Sequence, residues 1–166
     1  MTINDTTNNA LKLIFLGSAA TLLGAYFFQY VLGMAPCKMC LWQRWPHMAL
    51  IGLSALALII LPPMGRRMAL ALLALIALIG MAVAIYHTGV EQKWWEGPTS
   101  CTGGPAAGTL EALREQLKGI AVIRCDEIPW SLFGISMAGY NALISAGLVV
   151  VAVIGARGST REKAIV

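Results

Sequence analysis

Charge is what this sequence has least of. Only 12% of its 166 residues are Asp, Glu, Lys or Arg, while 58% are hydrophobic and the mean hydropathy is +0.72. So few charges cannot cover the apolar surface of a water-soluble chain of this length. No charged residue occurs from Leu13 to Cys37, from Trp45 to Gly65, from Met68 to Val90 or from Ile128 to Ala156. Each gap can hold the roughly 20 apolar residues that cross a bilayer as a helix. Other absences narrow the chemistry. No His follows the single C-x-x-C, because residue 41 is Leu, and this excludes a c-type haem attachment. No second C-x-x-C accompanies the first, which weakens a four-cysteine zinc site.

What is present predicts an all-α integral membrane protein, one domain over residues 1–166. Four transmembrane helices are expected at 12–32, 45–61, 68–88 and 132–156. A short loop at 33–44 and a long loop at 89–131 join them on one side. The first span is not read as a cleaved signal peptide. Its apolar run exceeds the roughly 7–15 residues of such a core, and three more spans follow.

Four spans place both termini on one side, with Lys12, Arg66, Arg67, Arg157, Arg161 and Lys163 against Asp5 and Glu162. The other side carries as many basic residues, offset by six acidic ones. Tight clusters of nearly pure positive charge assign the termini to the cytoplasm. The net charge of +4 is read by side, as a topology signal, and not as a nucleic-acid footprint. Trp42, Trp45, Trp94, Trp95 and Trp130 all fall at the opposite ends of the spans, where amphipathic rings suit the headgroup level.

Cys37, Cys40, Cys101 and Cys125 all lie on that opposite side as well. An even number of cysteines confined to one face suggests an oxidising compartment such as the bacterial periplasm. Zinc ligation, structural disulfides and redox exchange remain three readings at this point. C-x-x-C closes a very small loop, which restrains an unfolded chain little and suits electron exchange better than stapling. Around Cys101 the run TSCTGGPAAG reads as an exposed loop. TLEALREQLKGI then offers Thr109 as N-cap and Leu110, Leu113, Leu117 and Ile120 along one face of a short amphipathic helix.

The ordered combination of four spans, PCKMCLWQR before the second, and two loop cysteines followed by RCDEIPWSLFG resembles the DsbB family over nearly the whole chain. That resemblance implies a thiol:quinone oxidoreductase of the bacterial inner membrane. Its partner would be a DsbA-like periplasmic thiol oxidase and its electron acceptor a membrane quinone, ubiquinone or menaquinone. It implies that Cys101 and Cys125 form the pair that meets the partner, and that Cys37 and Cys40 pass electrons on. The resemblance also assigns Arg44 and His87 to the quinone.

The residues themselves permit this. Cys40 and Arg44 share a helical face at i and i+4, where a guanidinium favours a thiolate and can donate to a carbonyl. The bland alternative for Arg44 is a side chain snorkelling to headgroups. His47, one turn beyond, reads equally as a site residue or as polar filler. Gln43 stands where some family members carry an acid. The pairs Ala20/Gly24 and Gly80/Ala84 read as close-packing positions between helices. Two rivals remain. A vitamin K epoxide reductase-like enzyme shares the chemistry but has the order of its cysteine pairs reversed. A disulfide-stapled scaffold would bind partners without turnover.

Overall fold

The structure is a computed structural model that describes residues 3–98, 101 and 123–157. Helix α1, Ile3–Tyr26, runs on into one π-helical turn, Phe27–Val31. It stops where Gly33 takes φ +68° and the Met34 N–H reaches back 3.0 Å to the Phe28 carbonyl. Helix α2, Lys38–Ile60, is capped at its start by Cys37. Helix α3, Pro63–Glu91, opens on a proline at its first position, where the fixed φ suits a helix and no N–H is missed. It closes in a Schellman motif. Trp94 N–H donates to the Gly89 carbonyl and Lys93 N–H to that of Val90, with Lys93 in the left-handed position at φ 59°.

A two-residue hairpin precedes the last helix. Strand β1, Ser131–Leu132, pairs antiparallel with β2, Ile135–Ser136. Phe133 and Gly134 between them both have positive φ, 50° and 77°, as a type I′ turn requires. Phe133, at the tip, is 90% exposed. Helix α4 then runs Met137–Arg157.

Among the described residues four helices form a ring: α1 packs on α2 and α4, and α3 on α2 and, most extensively, on α4. Asp5–Val31, Pro63–Glu91 and Met137–Arg157 are long and apolar enough to cross a membrane. Only 22–28% of their most apolar windows is buried within the bundle. Leu16, Leu23, Ile59, Met68 and Ile154 face outward, as lipid contact demands and water would not tolerate. Helix α2 is 23 residues long but carries Gln43, Arg44, Pro46 and His47 within little more than one turn, which lowers its hydropathy.

The two ends of the ring differ. At one, Leu11 and Ile14 of α1, Leu50 of α2, Leu70 and Leu73 of α3 and Ala152 of α4 make a continuous apolar core. Gly155 lets α1 come in beside α4, since a Cβ there would collide with Ala10. Below that core Arg66 donates to the Leu58 carbonyl and Arg67 to that of Ala156. Two of the basic residues counted for topology thus neutralise the carbonyl ends of α2 and α4. At the other end the interior turns polar.

Several sequence expectations shift. Helix α2 begins at Lys38, ahead of the expected 45–61 span, and Pro46 lies inside it. The ring of Pro46 rests on α3 at Gly80, where an added Cβ would sit 3.0 Å away, so Gly80 is a close-packing position as expected. Gly24 is not: nothing lies within 4 Å of a Cβ built there, and with Ala20 it makes room for a cavity. The hairpin before α4 had no counterpart in the sequence reading. The amphipathic segment at 109–120 lies outside the described residues.

Candidate active site

The polar end is built from the start of α2. Cys37 occupies the N-cap in extended conformation, and its sulfur accepts the Cys40 backbone N–H at 3.1 Å. A thiol here does what Ser or Asp usually does for a helix terminus. Cys40 then lies one turn along. The two loop cysteines come to the same place. Cys101 N–H donates to the Pro98 carbonyl at 2.7 Å, and Cys125 N–H donates to the Cys101 carbonyl at 2.9 Å. Cys37, Cys101 and Cys125, 5%, 1% and 0% exposed, pack with Met39 and Val90 into one cluster, and Cys40 lies against it. Residues far apart in sequence therefore share one apolar nest.

The Cys37 thiol is pushed above its ordinary value by its hydrogen bond with the Cys40 sulfur and then by burial, with only the Cys40 backbone N–H opposing. In the exposed turn beside Cys125, Arg124 pairs with Asp126 through two hydrogen bonds of 2.9 and 2.7 Å and holds that carboxyl below its usual range.

Beneath the sulfurs runs a chain of buried side chains that links three helices. His87 Nε2 is 3.6 Å from Cys37 Sγ, and its Nδ1 is 2.6 Å from Gln43 Nε2. Gln43 Oε1 accepts from Asn141 Nδ2 at 2.6 Å, and Asn141 Oδ1 is 2.7 Å from His47 Nε2. The backbone of Cys125 also approaches the His87 ring. One turn further, Glu91 lies 3.9 Å from His87 and accepts a hydrogen bond from the Ser136 hydroxyl. Every donor in the main chain of bonds points the same way. Gln43 donates, so His87 Nδ1 accepts and its Nε2–H faces Cys37. Asn141 Oδ1 accepts, so His47 carries its proton on Nε2.

A cavity of about 630 Å³ opens beside this chain, between α1, α2 and α4. Gly17, Ala20, Gly24 and Ala25 of α1 hollow out one wall, and Met137, Ala138 and Ile144 of α4 form another. Its polar points are Cys40, Gln43, Arg44, His47, His87, Glu91 and Asn141. Of the four cysteines, Cys40 alone lines it. A smaller space of about 250 Å³, under Ile123, Arg124 and Glu127, touches both Cys37 and Cys40. Cys40 thus stands between a compartment facing the loops and one facing the helices. Arg44 is held from α1: Nη1 donates to Gln29 Oε1 at 2.6 Å, and the guanidinium sits 5.0 Å above the Tyr26 ring. Gln29 belongs to the π-helical turn, whose wider winding turns it inward.

All six residues singled out by the sequence, Cys37, Cys40, Cys101, Cys125, Arg44 and His87, therefore meet at one end of the bundle. His47 joins them as a cavity residue. Gln29, Tyr26, Asn141, Glu91 and Ser136 were not singled out. The available signal was a polar residue within an apolar window, which in a membrane helix points to function by default. Ligand-type atoms of Cys37, Cys40 and His87 also lie within 4.8 Å of one another.

Comparison with known proteins gives this geometry its class. A family model described as "Disulfide bond formation protein DsbB" matches residues 7–155. The chain is 32% identical to disulfide bond formation protein B of Idiomarina loihiensis, over 87% of this chain and 82% of that one. It is 33% identical to the protein of that name from Verminephrobacter eiseniae, over 96% and 94%. An uncharacterized protein of Rickettsia prowazekii is 26% identical over 90% of each. A helical membrane bundle with four cysteines gathered at one end is here a protein-disulfide oxidoreductase. The chain belongs to the DsbB family.

Proposed function

We propose that this enzyme, set in the bacterial inner membrane with all four helices spanning it, reoxidises a DsbA-like periplasmic dithiol and passes the electrons to membrane quinone. The observation that carries this reading is the position of Cys40, packed against the other three cysteines and lining the helix-side cavity as well. The cavity suits a quinone head: it is apolar on most of its wall, with Arg44 as a donor for a ring oxygen. Quinone, when bound, takes up two electrons and two protons.

The chain's own part is disulfide exchange. A thiolate of the partner attacks Cys101 of a Cys101–Cys125 disulfide, forming a mixed disulfide and freeing Cys125. Cys125 attacks Cys37, breaking the Cys37–Cys40 bond and leaving Cys40 as a thiolate on the cavity wall. The partner's second thiol releases Cys101, which attacks Cys125, restores the loop disulfide and frees Cys37. Cys37–Cys40 re-forms as two electrons leave through Cys40. Arg44, fixed by Gln29 and Tyr26, supplies positive charge beside Cys40 and a donor for a quinone oxygen. His87 lies between Cys37 and the Cys125 backbone, where its Nε2–H steadies a developing thiolate.

Purified protein in lipid should oxidise reduced DsbA only when quinone is supplied, and turnover without quinone would overturn the reading. The proximity of Cys37, Cys40 and His87 favours one rival, a bound metal. Metal analysis of the reduced protein separates the two, since stoichiometric zinc that blocks alkylation of Cys40 would replace the redox reading.

A further inference from the structure

With the α2 pair as free thiols, Cys37, Cys40 and His87 form a constellation that disulfide exchange does not require. Their sulfurs and one His87 ring nitrogen all lie within 4.8 Å of one another, and Cys37 Sγ is 3.6 Å from Nε2. In a tetrahedral zinc site, bonds of about 2.3 Å to sulfur and about 2.0 Å to nitrogen put those two ligand atoms about 3.5 Å apart. A cation therefore fits between them with α2 and α3 as they stand. All three residues also line the loop-side space of about 250 Å³, which gives an ion a way in. Glu91 and Glu127 border that space, and the Arg124 charge there is outweighed by its partners Asp126 and Glu127.

The surroundings of His87 suit ligation as well. A metal-bound histidine donates its other N–H to a carbonyl, carboxylate or water, and Gln43 stands 2.6 Å from His87 Nδ1. For Nε2 to bind a cation it must be bare, so the Gln43 amide turns over and its oxygen accepts from Nδ1–H. Asn141 and His47 continue the same chain. Each amide can exchange donor for acceptor, and each imidazole can change tautomer. Reversed as a unit, the chain keeps its bonds from His87 to His47, and His47 Nδ1 lacks a partner in either polarity.

We propose that the dithiol form of this site binds one thiophilic divalent cation, such as zinc, through Cys37 Sγ, Cys40 Sγ and His87 Nε2, and that the ion blocks turnover until it is removed. Binding displaces the thiol protons: two thiolates balance the two charges of the cation, and no electrons move. Three protein ligands leave a fourth position for water. Formation of the Cys37–Cys40 disulfide removes both thiolates, so the oxidised enzyme has no such site. The proposal rests on the redox reading above, which supplies the dithiol form. It differs from a resident metal in that the ion is acquired from solution and is given up to a chelator.

The test is zinc titration against a chromogenic chelator. It uses the full-length chain in lipid nanodiscs with Cys101→Ser and Cys125→Ser, so that only the α2 pair responds. Reduced without added metal, the protein should carry no zinc. On titration it should bind one Zn²⁺ and lose alkylation of Cys40, and the oxidised protein should bind none. Co²⁺ should give the visible bands of a tetrahedral thiolate site. His87→Gln should weaken binding about tenfold or more, and His87→Cys should recover it. Gln43→Leu should cost about tenfold, whereas Gln43→Glu, which holds Nε2 bare, should tighten binding. In the wild type, added zinc should stop quinone-dependent oxidation of DsbA and the chelator should restore it. Affinity indifferent to both His87 and Gln43, equal binding by the oxidised protein, or turnover at saturating zinc would overturn the proposal and leave the quinone reading standing. Zinc present before any is added, and kept against the chelator, would overturn it in favour of a resident metal. Failure of the metal-free wild type to oxidise DsbA with quinone would overturn the redox reading, and with it the block on turnover, whatever the titration gives.

Discussion

Gln43 on α2 and His87 on α3 meet across the bundle at 2.6 Å, and this bond joins the sulfur end of the site to the cavity end. On one side of it His87 faces Cys37, and on the other Asn141 and His47 line the space beside Cys40. Because an amide both donates and accepts, Gln43 satisfies His87 and Asn141 together. A carboxylate could serve Asn141 but would reverse the polarity at His87.

Gln43→Leu should destabilise the protein beyond the effect of its small volume change. It strands His87 Nδ1 and Asn141 Nδ2 in an apolar interior, at about 1–3 kcal/mol for each group. Thermal unfolding in detergent should show a clear loss for Gln43→Leu and a much smaller one for Gln43→Glu. Equal behaviour of the two variants would mean that the bond is incidental.

Cys37 should behave as a reluctant thiol. Its value is raised by the Cys40 sulfur and by burial, so the folded, reduced protein retains that proton where an ordinary thiol has lost it. The associated stability is fully present below the unfolded thiol value near 8.5 and declines as pH rises above it. In a variant retaining only Cys37 and Cys40 in reduced form, alkylation of Cys37 should still be accelerating at about pH 9–10. A plateau below pH 8 would contradict the packing described.

Arg44→Ala should raise KM for quinone about tenfold or more, as expected when a hydrogen bond from a charged donor is lost. Gln29→Ala, which leaves the charge but frees the side chain, should give a smaller rise with the same sign. Steady-state kinetics at saturating DsbA distinguishes this from snorkelling. If both variants lose thermal stability and leave KM unchanged, Arg44 is only an anchor.

Much of this was legible in the sequence, and the parts that were not share a cause. Gaps in charge mark the helices because each lipid-facing residue is penalised individually, wherever its neighbours lie. Cys37, Cys40 and Arg44 were readable because helical spacing alone relates them. The nest of four cysteines was not, since no local spacing relates Cys101 and Cys125 to Cys37 and only the fold brings them together. Gln29 and Asn141 stand out as polar residues in apolar windows, but only packing shows that one grips Arg44 and the other His47. The role of Gly24 was misread for a related reason: small residues that admit a neighbouring helix and small residues that leave a cavity look alike in one dimension.

The order of sulfur transfer makes the strictest prediction. Cys125 lies in the same nest as Cys37, within electrostatic reach of it, whereas Cys40 opens to the cavity. If exchange runs through Cys101, Cys125, Cys37 and Cys40 in turn, Cys125→Ala removes the group that carries electrons from the loop to α2. Its other loop cysteine remains able to bond the partner. Incubating that variant with oxidised DsbA carrying a single active-site cysteine and a good leaving group on its sulfur should yield an adduct through Cys101. Quinone reduction should fall to background, and non-reducing electrophoresis followed by peptide mapping reads the linkage. Because Cys101 is only 1% exposed, adduct formation should be slow until it leaves the nest, and mild detergent should accelerate it. An adduct mapped to Cys37 would reverse the proposed order and make the α2 pair the entry point.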